Sequence, residues 1–371
     1  MSRLPTPMLH QLLDLACMLQ QIPSPTFSEG EKAAFVYEQY TREGLQDVRI
    51  DETGNVLGRW EGGPGRPLVI SAHMDTVHPA QIKLTQRREN NRIFGPAIGD
   101  NSLGVAALLL LPRLLRKNNL TPPGSIWLVA NTCEEGLGDL RGMRAIVEHF
   151  GSEPRAYLVL EGMGLGQIYH RGLGVERYRI TARTRGGHSW VDYGKPSAIH
   201  HLAGVATRLA ALTLPRAPRT SLNVGTFEGG TSVNTIAAFA QLDLDMRSED
   251  YATLQELASS VRSIVQEAET EGVTFDVKTI GLRPGGEIPR SHALVRLAEE
   301  CLREEGVTPR PEIASTDANV PLSRTLPAIC IGLTSGGGAH TTAEYIDIPP
   351  LHQGISQLMQ LVTRVWTTLP D

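Results

Sequence analysis

The chain has few cysteines. The four present, Cys17, Cys133, Cys301 and Cys330, form no C-x-x-C pair, so a reduced, cytoplasmic protein is the simplest expectation. Basic excess is also missing. Lys and Arg total 35 against 40 Asp and Glu, a net charge of −5, which leaves nothing to attract a phosphate backbone and argues against a nucleic-acid partner. Long apolar runs are absent as well. The longest aliphatic stretch, Val105 to Leu111, is far too short to span a bilayer, and no membrane partner is expected. The first segment, Met8–Gln21, reads as an amphipathic helix with Asp14 inside it and no cleavage-site pattern, so no signal peptide is expected. There is no internal repeat and no low-complexity segment.

What is there is ordinary globular material, 41% apolar and 20% charged over 371 residues. That length suits one large domain plus a second domain or an insertion. Ser28-Glu-Gly-Glu31 has capping-box spacing and should open a helix over 32–43. Short strands are expected around 48–50, 56–60 and 68–71, with a polar hairpin over 85–94. An apolar helix over 103–117, in which Pro112 introduces a kink, precedes buried strands over 125–132 and 156–160. From 175 to 284 the texture changes to strand-helix-strand-strand-helix-strand, a self-contained α+β unit closed by Pro284-Gly-Gly286. Helix 293–305, strand 328–333 and helix 351–368 then resume the first domain, which comprises 1–174 and 285–371.

The chemistry-bearing residues fall where these elements end. His73 and Asp75 follow the apolar run Pro67–Ile70 and share a face on an extended chain. They suit a metal-binding His whose other ring nitrogen is fixed by Asp75, or else a solvated loop. Asp100, at a helix entrance, is either an N-cap or a ligand aimed at the same place. Glu134 and Glu135 end a buried strand and point to different sides, so one can ligate while the other works as general base; the alternative is a solvated acidic loop. Glu161 ends the next strand, and His340 follows the late one. In open α/β sheets ligands gather outside the carboxyl ends of the strands. Two His with three or four carboxylates form a mixed N/O set suited to zinc or a similar divalent ion, and two ions sharing a carboxylate would account for so many acids. Gly162-Met-Gly164-Leu-Gly166 lacks the third glycine offset of a dinucleotide loop and opens no helix.

The ordered set His73-Met-Asp75, Gly99-Asp100-Asn101, Glu134-Glu135-Gly136, Glu161, Gly187-His188 and His340 resembles the M20 metallopeptidases over nearly the whole chain. The resemblance implies an α/β, zinc-exopeptidase-like catalytic domain with a central mixed sheet between helices. Residues 175–284 would form an inserted lid and dimerisation domain, making a homodimer. It implies two divalent ions, Zn²⁺ foremost with Co²⁺ or Mn²⁺ as alternatives. His73 and Glu161 would hold one, Glu135 and His340 the other, and Asp100 would bridge them, with a cis bond after Asp100. Asp75 would orient His73, Glu134 would be the general base, and His188 would donate to the oxyanion across the dimer; otherwise His188 is a turn His bonded to backbone.

Substrate contacts are expected at four further positions. Arg247 resembles the family Arg that grips a substrate carboxylate, although it could instead pair with Asp245 or Glu249. Asn234 resembles the Asn of an Asn-x-Ile-Pro motif, but Ala237 stands in place of the Pro. Gly337 and Gly338 offer bare amides to an anion, or merely make a turn. His78, His170, His200 and His201 have no matching role and read as structural or solvent-facing. The implied reaction is cleavage of an amide bond in a short peptide. An N-acyl amino acid deacylase on the same machinery is the alternative, and a non-catalytic binding or scaffold protein a more distant one.

Overall fold

A computed structural model describes residues 4–370, which divide into two compact units: residues 4–172 with 286–370, and residues 173–285. The first unit is built on a nine-stranded mixed sheet. Its centre consists of four parallel strands in the spatial order Gly124–Asn131, Gly65–His73, Ala156–Met163 and Ala328–Thr334. These are the most apolar strands of the chain, and Leu68, Ile70, Leu128, Leu158 and Ile331 are fully buried. A parallel strand covered on both faces has no reason to alternate, which is why these runs read as continuous hydrophobic stretches. Antiparallel strands flank them, Val56–Trp60 on one side and Gln167–Gly172 on the other.

The helix Leu103–Lys117 runs through Pro112 and buries almost every residue, packing against helix Thr6–Gln20 and the central strands. The stretch Ile98–Lys117 is apolar and long enough to cross a membrane, yet 89% of its 18-residue apolar window is buried inside the protein; it is a core segment.

Several elements depart from the sequence reading. Ser28–Glu31 does not act as a capping box. The helix runs Gly30–Arg42 with Glu29 at its cap position and no side-chain cap bond, because the Glu29 carboxylate is engaged elsewhere, by the N–H of Cys133 at 3.0 Å. Asp100 is not an N-cap either. Its φ and ψ are −114° and 86°, and the helix starts at Leu103 with Ser102 in the cap position. Glu161 lies within its strand, Ala156–Met163, rather than past its end. Helix Arg141–Phe150 and strands Gln167–Gly172 and Arg310–Ala314 were not expected. Their buried residues, such as Met143, Ile146 and Ile168, lie in short segments that also carry polar and charged residues, which blurs the pattern.

A small sheet completes the first unit. The hairpin Arg87–Glu89 with Arg92–Phe94 is extended by Tyr345–Asp347 and then by Gly336–Gly337.

The second unit is a four-stranded antiparallel sheet in the order Thr220–Gly229, Phe239–Ser248, Gly174–Thr184, Val273–Arg283. Helices Ala198–Ala210 and Tyr251–Glu267 pack against it. Strand Phe239–Ser248 alternates strictly: Ala240, Leu242, Leu244 and Met246 are buried with the helices, while Gln241, Asp243, Asp245 and Arg247 lie on the other side. On that outer face Arg179 pairs with Asp243 and Arg177 with Asp245, each at 2.8 Å. A two-residue ladder, Gly187–His188 against Thr235–Ile236, stands apart from the main sheet.

Candidate active site

The carboxyl ends of the four parallel strands bring six of the chemistry-bearing residues together. His73 is the last residue of its strand and only 1% exposed. Its Nδ1 lies 3.0 Å from the carbonyl oxygen of Asp75. A carbonyl can only accept, so Nδ1 carries the proton and Nε2 presents its lone pair. Nε2 faces Asp100 Oδ1 at 3.2 Å and Glu161 Oε2 at 3.7 Å. The other oxygen of Asp100 faces His340: Oδ2 lies 3.1 Å from its Nε2, and Glu135 Oε1 is also at 3.1 Å. Asp100 therefore gives one oxygen to each histidine.

These distances fit metal coordination. Zn–N and Zn–O bonds of about 2.0–2.2 Å in a tetrahedron place neighbouring donors roughly 3.3–3.6 Å apart. The donors here form two triads, His73–Asp100–Glu161 and Asp100–Glu135–His340, each with its ligand atoms within 4.8 Å of one another. Charge points the same way. Four carboxylates converge (Asp100, Glu134, Glu135 and Glu161), a charge that two dications would balance. Burial disfavours charge on His73, yet Glu161, Asp100 and Asp75 together push its pKa well up. Hydrogen bonds to Asp100 and Glu135 raise His340 to about 10. The cluster is a field that seeks positive charge.

Glu134 stands in neither triad but belongs to a third close group with His73 and Glu135. Asp75 fixes its backbone: Oδ1 accepts the N–H of Glu134 and Oδ2 that of Glu135, both at 2.9 Å. Thr26 Oγ1 donates to the same carboxylate at 2.9 Å. The Asp75 carboxylate is farther from His73 Nδ1, at 3.5 Å. Its closest bonds thus hold the Glu134–Glu135 turn, while its backbone carbonyl orients His73.

The segment after helix Thr6–Gln20 and the first turn of helix Gly30–Arg42 brace both strand ends. Ser24 Oγ and the buried Lys32 Nζ donate to the Met74 carbonyl at 2.8 and 3.1 Å, and Glu29 accepts from Cys133. Burial lowers the pKa of Lys32 to about 8, with Asp75 and Glu29 opposing the shift. Cys133, directly before the acidic pair, is buried with φ +57°.

Of the other expected positions, Gly337 pairs with Tyr345 in the small sheet, and Gly338 has φ +72°, a conformation suited to glycine. His188, Asn234 and Arg247 belong to the second unit. There the Ser189 N–H donates to the Asn234 carbonyl at 3.0 Å, so His188 and Asn234 lie on adjoining segments of the small ladder. The backbone N–H groups of Trp190 and Val191 point at His188 Nδ1 from 3.2 and 3.4 Å. That makes Nδ1 an acceptor and Nε2–H a donor. Arg247 is bonded to Asp245 at 2.7 Å.

Comparison with known proteins places this arrangement. The model of the peptidase family M20/M25/M40 matches residues 69–364. The chain belongs to that family. Among M20 relatives, carboxypeptidase G2 of Pseudomonas sp. (strain RS-16) is 24% identical over 325 residues, covering 83% of this chain and 76% of that protein. Acetylornithine deacetylase of Edwardsiella ictaluri is 26% identical over 327 residues, covering 82% of each chain. The M20 fold is shared with a tripeptidase from Staphylococcus aureus, at TM-score 0.81 and 22% identity, covering 96% of this chain and 98% of that one. A Bacillus subtilis structure described as a dinuclear metal binding peptidase from the M20 family matches at TM-score 0.72 and 15% identity, over 98% of this chain and all of that one (100%). The protein is therefore an M20 hydrolase acting on amide bonds, with a possible metal-ligand cluster in its first unit.

Three residues around the cluster received no role from the sequence, and each acts through tertiary contacts. Asn101 donates to the Leu160 carbonyl at 2.8 Å and accepts the Gly162 N–H at 3.0 Å, bracketing Glu161. The bond joining it to Asp100 is cis. Glu344, fully buried, accepts from Ala97, Gly99 and Asp100. Asp317, also fully buried, accepts from Asn131 Nδ2 at 2.6 Å; burial raises its pKa to about 7, with His73 opposing.

Proposed function

We propose that this M20 hydrolase cleaves an amide bond in short peptides, using a two-metal centre with Glu134 as general base. The observation that carries this reading is the division of Asp100, one oxygen toward His73 and the other toward His340. His73 and Glu161 would hold one ion and Glu135 and His340 the other, with Asp100 shared between them. Zn²⁺ suits the N/O donor set, and Co²⁺ or Mn²⁺ would be accepted by it. When bound, such ions polarise the amide carbonyl and make water acidic enough to serve as a nucleophile near neutral pH.

The chain's own part is proton handling and alignment. Glu134, outside both triads, takes the proton of the attacking water and returns it to the leaving amine. Asp75 sets the direction of Glu134 by gripping its backbone N–H. An oxyanion role for His188 is supported by its tautomer, which leaves Nε2–H as a donor. Substrate contacts for Arg247, Asn234, Gly337 and Gly338 rest on the family resemblance. The Asp245 pairing of Arg247 means a substrate carboxylate would have to compete with an internal partner. A homodimer through the second unit and a cytoplasmic location belong to the same proposal.

A second reading, an N-acyl amino acid deacylase, is favoured by the similarity to acetylornithine deacetylase over most of both chains. A product assay separates the two. The protein loaded with Zn²⁺ or Co²⁺ is offered unblocked di- and tripeptides beside N-acyl amino acids, and products are identified by mass. Release of a terminal residue from free peptides supports the peptidase reading. Cleavage of the acylated compounds alone replaces it with the deacylase. No cleavage with both ions bound counts against both.

A further inference from the structure

Glu344 has no exposed surface, and among the described residues its carboxylate is hydrogen-bonded only to main-chain N–H groups of a single loop. Oε1 accepts from Gly99 at 2.7 Å and from Asp100 at 2.8 Å, and Oε2 accepts from Ala97 at 3.2 Å. These donors precede the helix Leu103–Lys117, and Asp100 and Asn101 have non-helical backbone angles. A buried N–H without a partner is destabilising, so the carboxylate satisfies groups that the loop cannot satisfy itself. The main chain of Glu344 grips the same loop, its carbonyl accepting the Gly95 N–H at 2.9 Å.

Glu344 lies four positions after His340, in one tight turn: the Thr341 N–H bonds the Gly338 carbonyl at 3.0 Å, and the Glu344 N–H bonds the Thr341 carbonyl at 3.3 Å. The Asp100 loop is thus pinned on two sides. Asn101 ties it to the strand positions around Glu161, a ligand of one triad. Glu344 ties it to the segment carrying His340, a ligand of the other.

We propose that Glu344 is a positioning residue for the metal centre, holding Asp100 where it can face both histidines and locking the Asp100 loop to the His340 segment. This inference rests on the two-metal reading above. Because Asn101 still braces the His73–Glu161 side, removal of Glu344 acts first on the centre formed by Asp100, Glu135 and His340. Glu344→Ala removes all three acceptor contacts. Glu344→Gln keeps the shape but turns an NH₂ toward an N–H donor, so its effect is smaller.

The test compares wild type, Glu344→Gln and Glu344→Ala, stripped by chelation and dialysed against buffered free Zn²⁺, with bound metal counted per chain. Hydrogen exchange is followed in the apo proteins over residues 95–103. Glu43→Gln, remote from the cluster, controls for general loss of stability. We expect wild type to hold two ions. Glu344→Ala should keep one with wild-type affinity and bind the second about 10- to 100-fold more weakly, with faster exchange over 95–103, and Glu344→Gln should fall between. Two ions at wild-type affinity in Glu344→Ala, or in Glu344→Gln if the alanine variant fails to fold, overturn the positioning role, as does unchanged exchange. Fewer than two ions in wild type overturn the two-metal reading and this inference together, and the wild-type arm tells the two failures apart.

Discussion

The carboxylate of Asp75 accepts the backbone N–H of Glu134 at 2.9 Å, closer than it comes to the ring of His73, at 3.5 Å. Asp75 therefore acts on the acidic turn at least as directly as on the histidine. Asp75→Asn replaces one acceptor with a donor facing an N–H. The expected loss is about 10- to 100-fold in kcat, the range for groups that orient ligands, with the metal count retained. Unchanged kcat with weaker metal binding would show that Asp75 serves His73 alone.

Glu134→Gln removes the proton acceptor while keeping size and backbone bonds. Turnover should fall by about 10²- to 10⁴-fold, while bound Zn²⁺ per chain stays at the wild-type value. Parallel loss of metal and activity would make Glu134 a ligand instead of a base.

The site was legible in the sequence where a residue's role follows from its place along the chain. His73 ends an apolar strand and the Glu134–Glu135 pair follows one, and the ends of parallel strands are where sheet folds collect ligands. Braces were not legible, because nothing local marks them. Glu344 reaches back 244 positions to Asp100, and Glu29 reaches 104 positions to Cys133. Ser28 and Glu31 read as a capping box because spacing cannot reveal that Glu29 takes the cap position instead. Helix Arg141–Phe150 was not legible although Met143, Ile146, Val147 and Phe150 line its buried face, since a ten-residue segment that follows a glycine-rich turn and carries Arg144, Glu148 and His149 shows barely two repeats of that period.

Glu43 offers a pH-dependent test remote from the metal cluster. Burial would raise its pKa, but Arg113 and Arg116, each bonded at 2.8 Å, outweigh burial and hold it below the ordinary value. A carboxylate with a depressed folded-state pKa contributes stability above its unfolded pKa and loses it as pH falls through the folded one. Glu43→Gln should therefore lower the melting temperature at pH 7, and the gap to wild type should close as the pH drops below the usual carboxylate range. A gap independent of pH would mean that the loss is one of packing.

Gln357 is fully buried in helix Leu351–Thr368, and among the described residues neither polar atom of its amide has a hydrogen-bond partner. Gln357→Met, close in volume, should raise stability by about 1–3 kcal/mol, the cost of an unsatisfied buried group, measured by urea denaturation. A fall in the midpoint would show that the amide is satisfied by ordered water.

Gly172 and Gly286 are register partners in an antiparallel ladder, and the whole second unit lies between them in sequence. Opposed residues of such a ladder have Cα atoms only about 4.5–5.5 Å apart, a gap that a two-residue hairpin closes. The second unit is in effect an elaborated hairpin loop, and the entropic cost of its length is small once its own core has folded. A chain in which a short Asn-Gly turn replaces residues 173–285 should still fold its central sheet, retain both donor triads and bind metal. Such a miniature would separate the inherited chemistry of the sheet from whatever selectivity the graft added.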